Sequence, residues 1–459
     1  MPRGLPLGIS DSSRSTVARA NGMRAEVEGR AASAKKMTRK SADRRIPIID
    51  ARDRRSIARL LARGGRHARG DEAFVRRVRA IVDRVRTSGD RALIGFAKRF
   101  DGVAPPLEVS RDEMRAAAAQ LDPSVRRAIA RAAANIARVA FRQIPRHWDL
   151  DVVPGVSIEQ RVEPLARVGC YVPGGRFPLP SSLLMTAVPA RVAGVAEVIV
   201  MCPRPDASVM AAALEAGVTR LFRVGGAHAI AALAYGTATV PRVDKIVGPG
   251  NRYVATAKAL VAETCAIDFY AGPTEIVIVS GRGRPEWIAA DLVAQAEHDP
   301  DARSIFITCS RLLAAKVARA VAKEQRGRPI VERSLASNGA IVVTRSEAAA
   351  IDLANRFAPE HLVVDRESLI QRPIVAGAVF VGPYSAQAAG DYATGSNHVL
   401  PTAGAARWRG GLSAADFMRV MSVQRLTRDG LARLAPTILP LARAEGLEAH
   451  ARSIEVRLK

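Results

Sequence analysis

Aromatic residues make up only 4% of the 459 residues, too few for a platform on which single-stranded bases could stack. Cysteine is scarcer still. Cys170, Cys202, Cys265 and Cys309 lie far apart with no C-x-x-C pair, which argues against a disulfide framework or a thiolate metal knot and points to a reducing cytoplasm. No uninterrupted apolar run is long enough for a bilayer span. The longest, Ser182 to Met201, is broken by Pro189, Arg191 and Glu197, so no membrane segment is expected.

Charge of one sign is in excess, with 69 Lys and Arg against 44 Asp and Glu, a net +25. Residues 1–47 hold 11 basic and 4 acidic side chains, and the rest of the excess is spread thinly. Only 9 of the 69 basic residues are Lys, a preference for Arg that coding bias explains as readily as a selected surface. A basic nucleic-acid-binding or scaffold protein would account for the charge, but nothing else in the chain calls for one.

The chain is long enough for several domains and, at 48% hydrophobic, has ample material for their cores. Residues 1–45 are rich in Ser, Arg and Ala without apolar periodicity, so they are expected to be disordered. Such a stretch reads as a dispensable tail or an early start, with Met23 and Met37 as later candidates, in preference to a transit peptide. From Ile46 to Trp148 the pattern is helical, with Phe74, Val75, Val78, Ile81 and Val82 at 3–4 spacing and a break at Gly89.

Past Val162 short β-branched runs alternate with Ala-rich segments of helix length. The runs are Val168–Val172, Val198–Cys202, Leu221–Val224, Lys245–Val247, Ile276–Val279, Ile305–Thr308, Ile341–Val343, Leu362–Val364 and Val379–Val381. Buried parallel strands have this texture, and the repeated βα units predict open α/β sheets, two rather than one. Beyond Leu412 the chain is expected to be helical again, ending in an amphipathic arm with Leu431, Leu434, Leu439 and Leu441.

Glycine turns follow three of the strands: Gly174-Gly175, Gly225-Gly226 and Gly248-Pro-Gly-Asn251. None is G-x-G-x-x-G, but each could bring backbone N–H groups to a nucleotide phosphate. At the end of another predicted helix, Gln295 and His298 fall on one face and can share a cation. Further polar residues sit in apolar or glycine-rich settings: Glu360-His361, Asp391, His398, His450 and His228. A carboxylate, two imidazoles and an amide oxygen suit exchangeable Zn²⁺, and adjacent Glu and His can divide acid and base work. These residues describe a metal-assisted α/β enzyme.

Nine segments make the reading more specific: Tyr171-Val-Pro-Gly-Gly175, Val224-Gly-Gly-Ala227, Val247-Gly-Pro-Gly-Asn251, Ala271-Gly-Pro-Thr-Glu275, Gln295-Ala-Glu-His298, Ala358-Pro-Glu-His-Leu362, Gly390-Asp-Tyr392, Asn397-His-Val-Leu-Pro-Thr402 and Glu445-Gly-Leu-Glu-Ala-His450. In this order they resemble histidinol dehydrogenase over roughly residues 47–459.

The resemblance implies two Rossmann-like open-sheet domains with helical N- and C-terminal segments, the tail exchanged in a homodimer with shared active sites. The implied division is a disordered basic extension at 1–46, a helical segment at 47–65, a discontinuous first Rossmann-like domain at 66–147 with 274–412, a second at 148–273, and a dimerisation arm at 413–459. It implies oxidation of L-histidinol through L-histidinal to L-histidine, the last step of histidine biosynthesis. One Zn²⁺ per subunit would serve, and two NAD would be reduced per substrate. Glu360 and His361 would be catalytic, and Gln295, His298, Asp391 and His450 the zinc ligands. Thr274, Gln295, His298, His361, Asp391, Glu445 and His450 would contact substrate, while Tyr171, His228 and Asn251 would meet NAD. A carboxylate beside His361 would favour its imidazolium and an alkaline optimum.

Three positions depart from the family pattern. His228 stands where Gln is usual, Gln387 where Glu is frequent, and Thr274 where Ser is usual. These keep open a paralogue that oxidises another primary alcohol, such as a sulfonated diol, with the same zinc and NAD. Glu445, an anionic partner for imidazole, argues against an anionic substrate.

Overall fold

The structure is a computed structural model that describes residues 46–64, 71–174, 178–270 and 272–459. Most of the basic extension, with Gly175 and Ala271 of the motifs, lies outside these residues. The described strands are β1 (Ile48–Asp50), β2 (Glu108–Val109), β3 (Trp148–Val153), β4 (Val156–Pro164), β5 (Arg167–Tyr171), β6 (Glu197–Met201), β7 (Arg220–Phe222), β8 (Lys245–Val247), β9 (Ala266–Ile267), β10 (Glu275–Val279), β11 (Arg303–Thr308), β12 (Ala340–Val343), β13 (His361–Val364), β14 (Ala378–Val381) and β15 (Met418–Leu426). Every β-branched run singled out in the sequence is a strand, within a residue or two at either end.

Two six-stranded sheets result. The first has the order β1-β12-β11-β10-β13-β14 and is parallel throughout. The second, β2-β7-β6-β5-β8-β9, is parallel except for β2. Side chains alternate across each sheet, so a strand buried on both faces must be apolar at nearly every position. Strand β10 shows this: Ile276 and Ile278 enter one core, while Val277 and Val279 enter the other.

Helices cover both faces. On the first sheet lie α1 (Arg54–Gly64), and later α9 (Pro285–Glu297), α10 (Arg311–Glu324), α11 (Pro329–Asn338) and α12 (Glu347–Phe357). The second carries α2 (Glu72–Phe96), α3 (Arg111–Ala119), α4 (Pro123–Arg142), α5 (Pro180–Val192), α6 (Ala207–Glu215), α7 (Gly226–Tyr235) and α8 (Arg252–Val261). A short α13 (Gln387–Tyr392) follows β14, and α14 (Arg428–Ala444) and α15 (Glu448–Leu458) end the chain. No helix among the described residues is long and apolar enough to cross a membrane.

The packing corrects the expected division. Helix α2 buries Phe74, Val78, Val82 and Val85 against Ile199, Met201, Phe222 and Ile230, and β2 pairs with β7. Residues 71–142 thus belong with the second sheet, not with 274–412. Conversely, 46–64 is not a separate helical segment, since β1 pairs with β12 and Ile57 and Leu60 enter the first sheet's core.

Past Leu412 the helical expectation also fails at first. Met418–Leu426 is a strand that pairs antiparallel with β4 along its whole length, and β3 completes a three-stranded sheet. Its sequence, with Met418, Val420 and nearby polar residues, carries too weak an alternation to identify the strand without its partner.

Candidate active site

Residues just before two neighbouring strands of the first sheet build the centre of the site. Thr274 precedes β10, Glu360 precedes β13, and the two strands pair side by side. Glu360 is buried, and its Oε2 accepts hydrogen bonds from the Thr274 hydroxyl and, at 2.8 Å, from the Glu275 amide. Burial pushes its carboxyl up to about 8, outweighing those two bonds. Glu275, also buried, pairs with Arg303 at 3.1 Å and accepts from the Ala403 amide; burial still raises it to about 7.

His361 is equally buried, with Nδ1 3.1 Å from the Glu275 carbonyl and 3.5 Å from Glu360 Oε2. A carbonyl only accepts, so Nδ1 carries the proton and Nε2 is left bare. Burial lowers the His361 pKa. The expectation that Glu360 would favour an imidazolium is therefore corrected: desolvation of the ring exceeds the attraction of nearby carboxylates, and Glu360 is itself shifted toward its neutral form.

Gln295 and His298 end α9, which packs against α13, the helix that carries Asp391. The fields of His298 and Asp391 are both felt at Glu360, His361 and His398, which places all of these in one neighbourhood. Gln295 donates through Nε2 to the Thr274 hydroxyl, while its Oε1 is fully buried with no hydrogen-bond partner. His298 gives Nδ1 to the Ala294 carbonyl at 3.1 Å, and His398 gives Nδ1 to the Asp391 carbonyl at 3.0 Å. All three imidazoles are thus tied at Nδ1 to backbone oxygen and present a lone pair at Nε2, the arrangement a metal-binding or proton-accepting histidine requires.

Asp391 accepts at Oδ2 from Gln387 Nε2, 2.9 Å away. A buried amide oxygen without a donor costs on the order of 1–3 kcal/mol, and a cation would relieve it. The orphaned Gln295 oxygen, the His298 nitrogen and the Asp391 carboxylate make a borderline-hard donor set that fits Zn²⁺. Among the described residues no three His, Cys, Asp or Glu side chains cluster as a metal site.

The segment that follows Asp391 and bears His398 is fastened to the second sheet's helices. Asn135 Nδ2 donates to the Ala393 carbonyl and Asn397 Nδ2 to the Met185 carbonyl, each at 2.7 Å.

Tyr171, Asn251 and the turn before His228 lie at carboxyl ends of the second sheet's strands. Strands β5 and β8 are adjacent where the strand order reverses, the place at which open α/β sheets take ligands. The Tyr171 hydroxyl accepts from the Gly226 amide at 3.0 Å. Exposed Asn251 caps α8, accepting at Oδ1 from the Tyr253 and Val254 amides. Gly248 has φ +111, and a Cβ there would fall 2.2 Å from the Tyr171 carbonyl oxygen. Its amide donates to Asp268, its carbonyl accepts from Lys258, and these two side chains form a buried ion pair. His228 is 2% exposed with Nε2 on Asp101, at 2.9 Å, so its ring is engaged inside the fold.

Glu445 and His450 are not brought to the centre. Both are exposed on the C-terminal arm, where α14 and α15 pack on one another and α14 on β15. Sequence reasoning missed Glu275 with Arg303, Lys258 with Asp268, and Asp101. Their only signal is that charged residues sit within or beside apolar runs, which does not reveal a partner far along the chain.

A family model for histidinol dehydrogenase matches residues 65–458. The histidinol dehydrogenase of Syntrophotalea carbinolica is 46% identical over 418 residues, 88% of this chain and 96% of that one. That of Methanothermobacter thermautotrophicus is 46% identical over 393 residues, 83% and 92% of the two chains. The crystal structure of histidinol dehydrogenase from Elizabethkingia anophelis superposes with a TM-score of 0.85 at 32% identity, covering 90% of this chain and 98% of that one. Read with the two open sheets and the buried Glu360–His361 centre, these likenesses show that the chain belongs to the histidinol dehydrogenase family of oxidoreductases.

Proposed function

We propose that the chain oxidises L-histidinol through L-histidinal to L-histidine in the cytoplasm, reducing two NAD per substrate. The observation that carries this reading is the buried run Glu360–Thr274–Gln295, which starts at a carboxyl beside the His361 imidazole with its bare Nε2 and ends on an amide oxygen with no hydrogen-bond partner. Gln295, His298 and Asp391 would hold one Zn²⁺, with His450 of a second subunit as the fourth ligand. Zinc, when bound, supplies a Lewis-acid anchor for the amine and imidazole of the substrate. NAD, when bound near Tyr171 and Asn251, accepts hydride in each oxidation.

His361 takes the hydroxyl proton at Nε2 in the first oxidation, its Nδ1 held by the Glu275 carbonyl so that the ring cannot turn away. Glu360, once ionised, takes a proton from water as that water attacks the aldehyde. Thr274 and the Glu275 amide hold the carboxylate oxygen in place for this transfer. Burial of both groups excludes other water and keeps the aldehyde from escaping. Glu445 supplies a negative charge for the substrate imidazole from the partner arm.

The arm and the small sheet it completes have a surface that fits pairing. On β3, Trp148, Leu150 and Val152 lie on one face and are 44%, 55% and 53% exposed. Val420, Leu441, Leu447 and Val456 of the arm are exposed as well. An apolar set of this extent marks an interface, and a symmetric dimer would cover both copies at once.

The test is NADH production from L-histidinol beside other amino alcohols and sulfonated diols. Two NADH per histidinol, with little from the diols, is the expected result. Turnover confined to a sulfonated diol would transfer the same zinc and NAD machinery to the paralogue reading, which the neutral Gln387 beside Asp391 would then explain.

A further inference from the structure

The residues assigned to the cofactor do not include the one that fixes their turn. Helix α2 ends in a π-helical turn, Ala97–Asp101, a widening that redirects the side chains following it. It turns Asp101 toward the glycine turn that opens α7. A single oxygen, Asp101 Oδ2, accepts from the Gly225 amide at 3.0 Å and from His228 Nε2 at 2.9 Å. Because a carboxylate has nothing to donate, Nε2 is protonated. Phe96 and Phe100 flank the imidazole, with ring centroids 5.8 and 6.0 Å away. The next amide, Gly226 N–H, is held by the Tyr171 hydroxyl.

Both amides of the turn are therefore satisfied by side chains, the first by an anion. A phosphate placed there would have to displace a carboxylate of its own sign. The turn is a wall of the crevice and not its phosphate cradle. Through Gly226 it also sets where the buried Tyr171 hydroxyl stands, and Tyr171 ends β5, the strand that adjoins β8 at the switch point.

We propose that Asp101 is a positioning residue for the dinucleotide: acting through His228 and the Gly225–Gly226 turn, it holds Tyr171 in register with the crevice and keeps phosphate off the start of α7. This rests on the reading that the second sheet takes NAD.

The experiment titrates NADH by its fluorescence into the full-length protein and its Asp101→Ala and Asp101→Asn variants, with steady-state kinetics alongside. Asp101→Ala should raise the NADH Kd and the NAD KM about tenfold, the loss of two coupled hydrogen bonds. Its kcat at saturating NAD and its histidinol KM should stay within about twofold, a split that general loss of structure would not give. Asp101→Asn keeps an oxygen for both donors and should stay within about threefold in every constant. Amide hydrogen exchange across residues 223–230 should quicken in Asp101→Ala alone, and this readout serves even if that variant turns over poorly. Unchanged NADH affinity in Asp101→Ala, or a fall in kcat with unchanged NAD KM, would overturn the proposal. If the unsubstituted protein bound no NADH, the dinucleotide reading would fall first and take this one with it.

Discussion

The two six-stranded sheets share a strand order but are used at opposite edges. In each, the founding strand (β10 or β5) is central, two successors build to one side, two to the other, and an extra strand (β1 or β2) closes the edge. At the carboxyl ends of the second sheet's strands, glycine turns and Tyr171 surround the switch point. The equivalent place in the first sheet is filled from within. There Asp365, just past β13, accepts from the Ser280 hydroxyl at 2.8 Å and the Gly281 amide at 3.1 Å and pairs with Arg366. The chemistry-bearing residues stand at the other edge, before β10 and β13. A shared topology thus offers a site, but whether it is used depends on which side chains occupy it.

The largest expected effect separates the edges directly. Glu360→Gln should lower turnover about 10³-fold, within the range for removal of a general base, while NADH affinity stays within about twofold. Equal losses in both would mean that the sheets do not divide the work. His450→Ala should lose zinc stoichiometry and lower turnover about 10²-fold. If arms are exchanged, random mixing with Glu360→Gln should restore about a quarter of the unsubstituted activity, since half the dimers are mixed and each has one intact site. No rescue would confine every site to a single chain.

Gly248→Ala acts on the other sheet. The forbidden approach to Tyr171 and the positive φ should cost about 3 kcal/mol of stability, measured by denaturant unfolding, with weaker NADH binding. An innocuous Gly248→Ala would mean the crevice is more pliable than its clamp of Lys258 and Asp268 implies.

The smallest effect is a pH slope. Glu360, raised to about 8, must ionise to act as a base, so histidinol turnover should rise about fivefold from pH 7 to pH 8, about twofold more by pH 9, and then level. In the metal-free protein the sign for stability is opposite. A carboxyl raised on folding stabilises fully below its unfolded pKa near 4.5, and that contribution is lost as pH rises through about 8. Melting temperature should fall over that window, and less steeply in Glu360→Gln.

The sheets were legible in the sequence because parallel strands buried on both faces must be almost wholly apolar, as in Glu275–Val279 or Ala340–Val343. Residues 71–142 could be read as helices but not assigned to a sheet: the apolar stripe of α2 states that it needs a partner, not which one. Met418–Leu426 was hidden because its pairing partner lies some 260 residues earlier. In the site, the motifs marked Glu360, His361, Gln295, His298 and Asp391. Spacing could not disclose that His361 loses its charge to burial, or that the His228 ring turns inward to Asp101, since both depend on surroundings assembled from distant segments.

Strand β1 joins Ala340–Val343, almost 300 positions farther on, whereas the strands of the other six-stranded sheet all lie between Glu108 and Ile267. During synthesis those strands can therefore all emerge while the opening strand still waits for its neighbour to leave the ribosome, although Val399, Leu412, Ala414 and Phe417 complete their core later. The strands able to pair first are thus those of the half proposed to receive the dinucleotide, and those beside Glu360 and His361 come later.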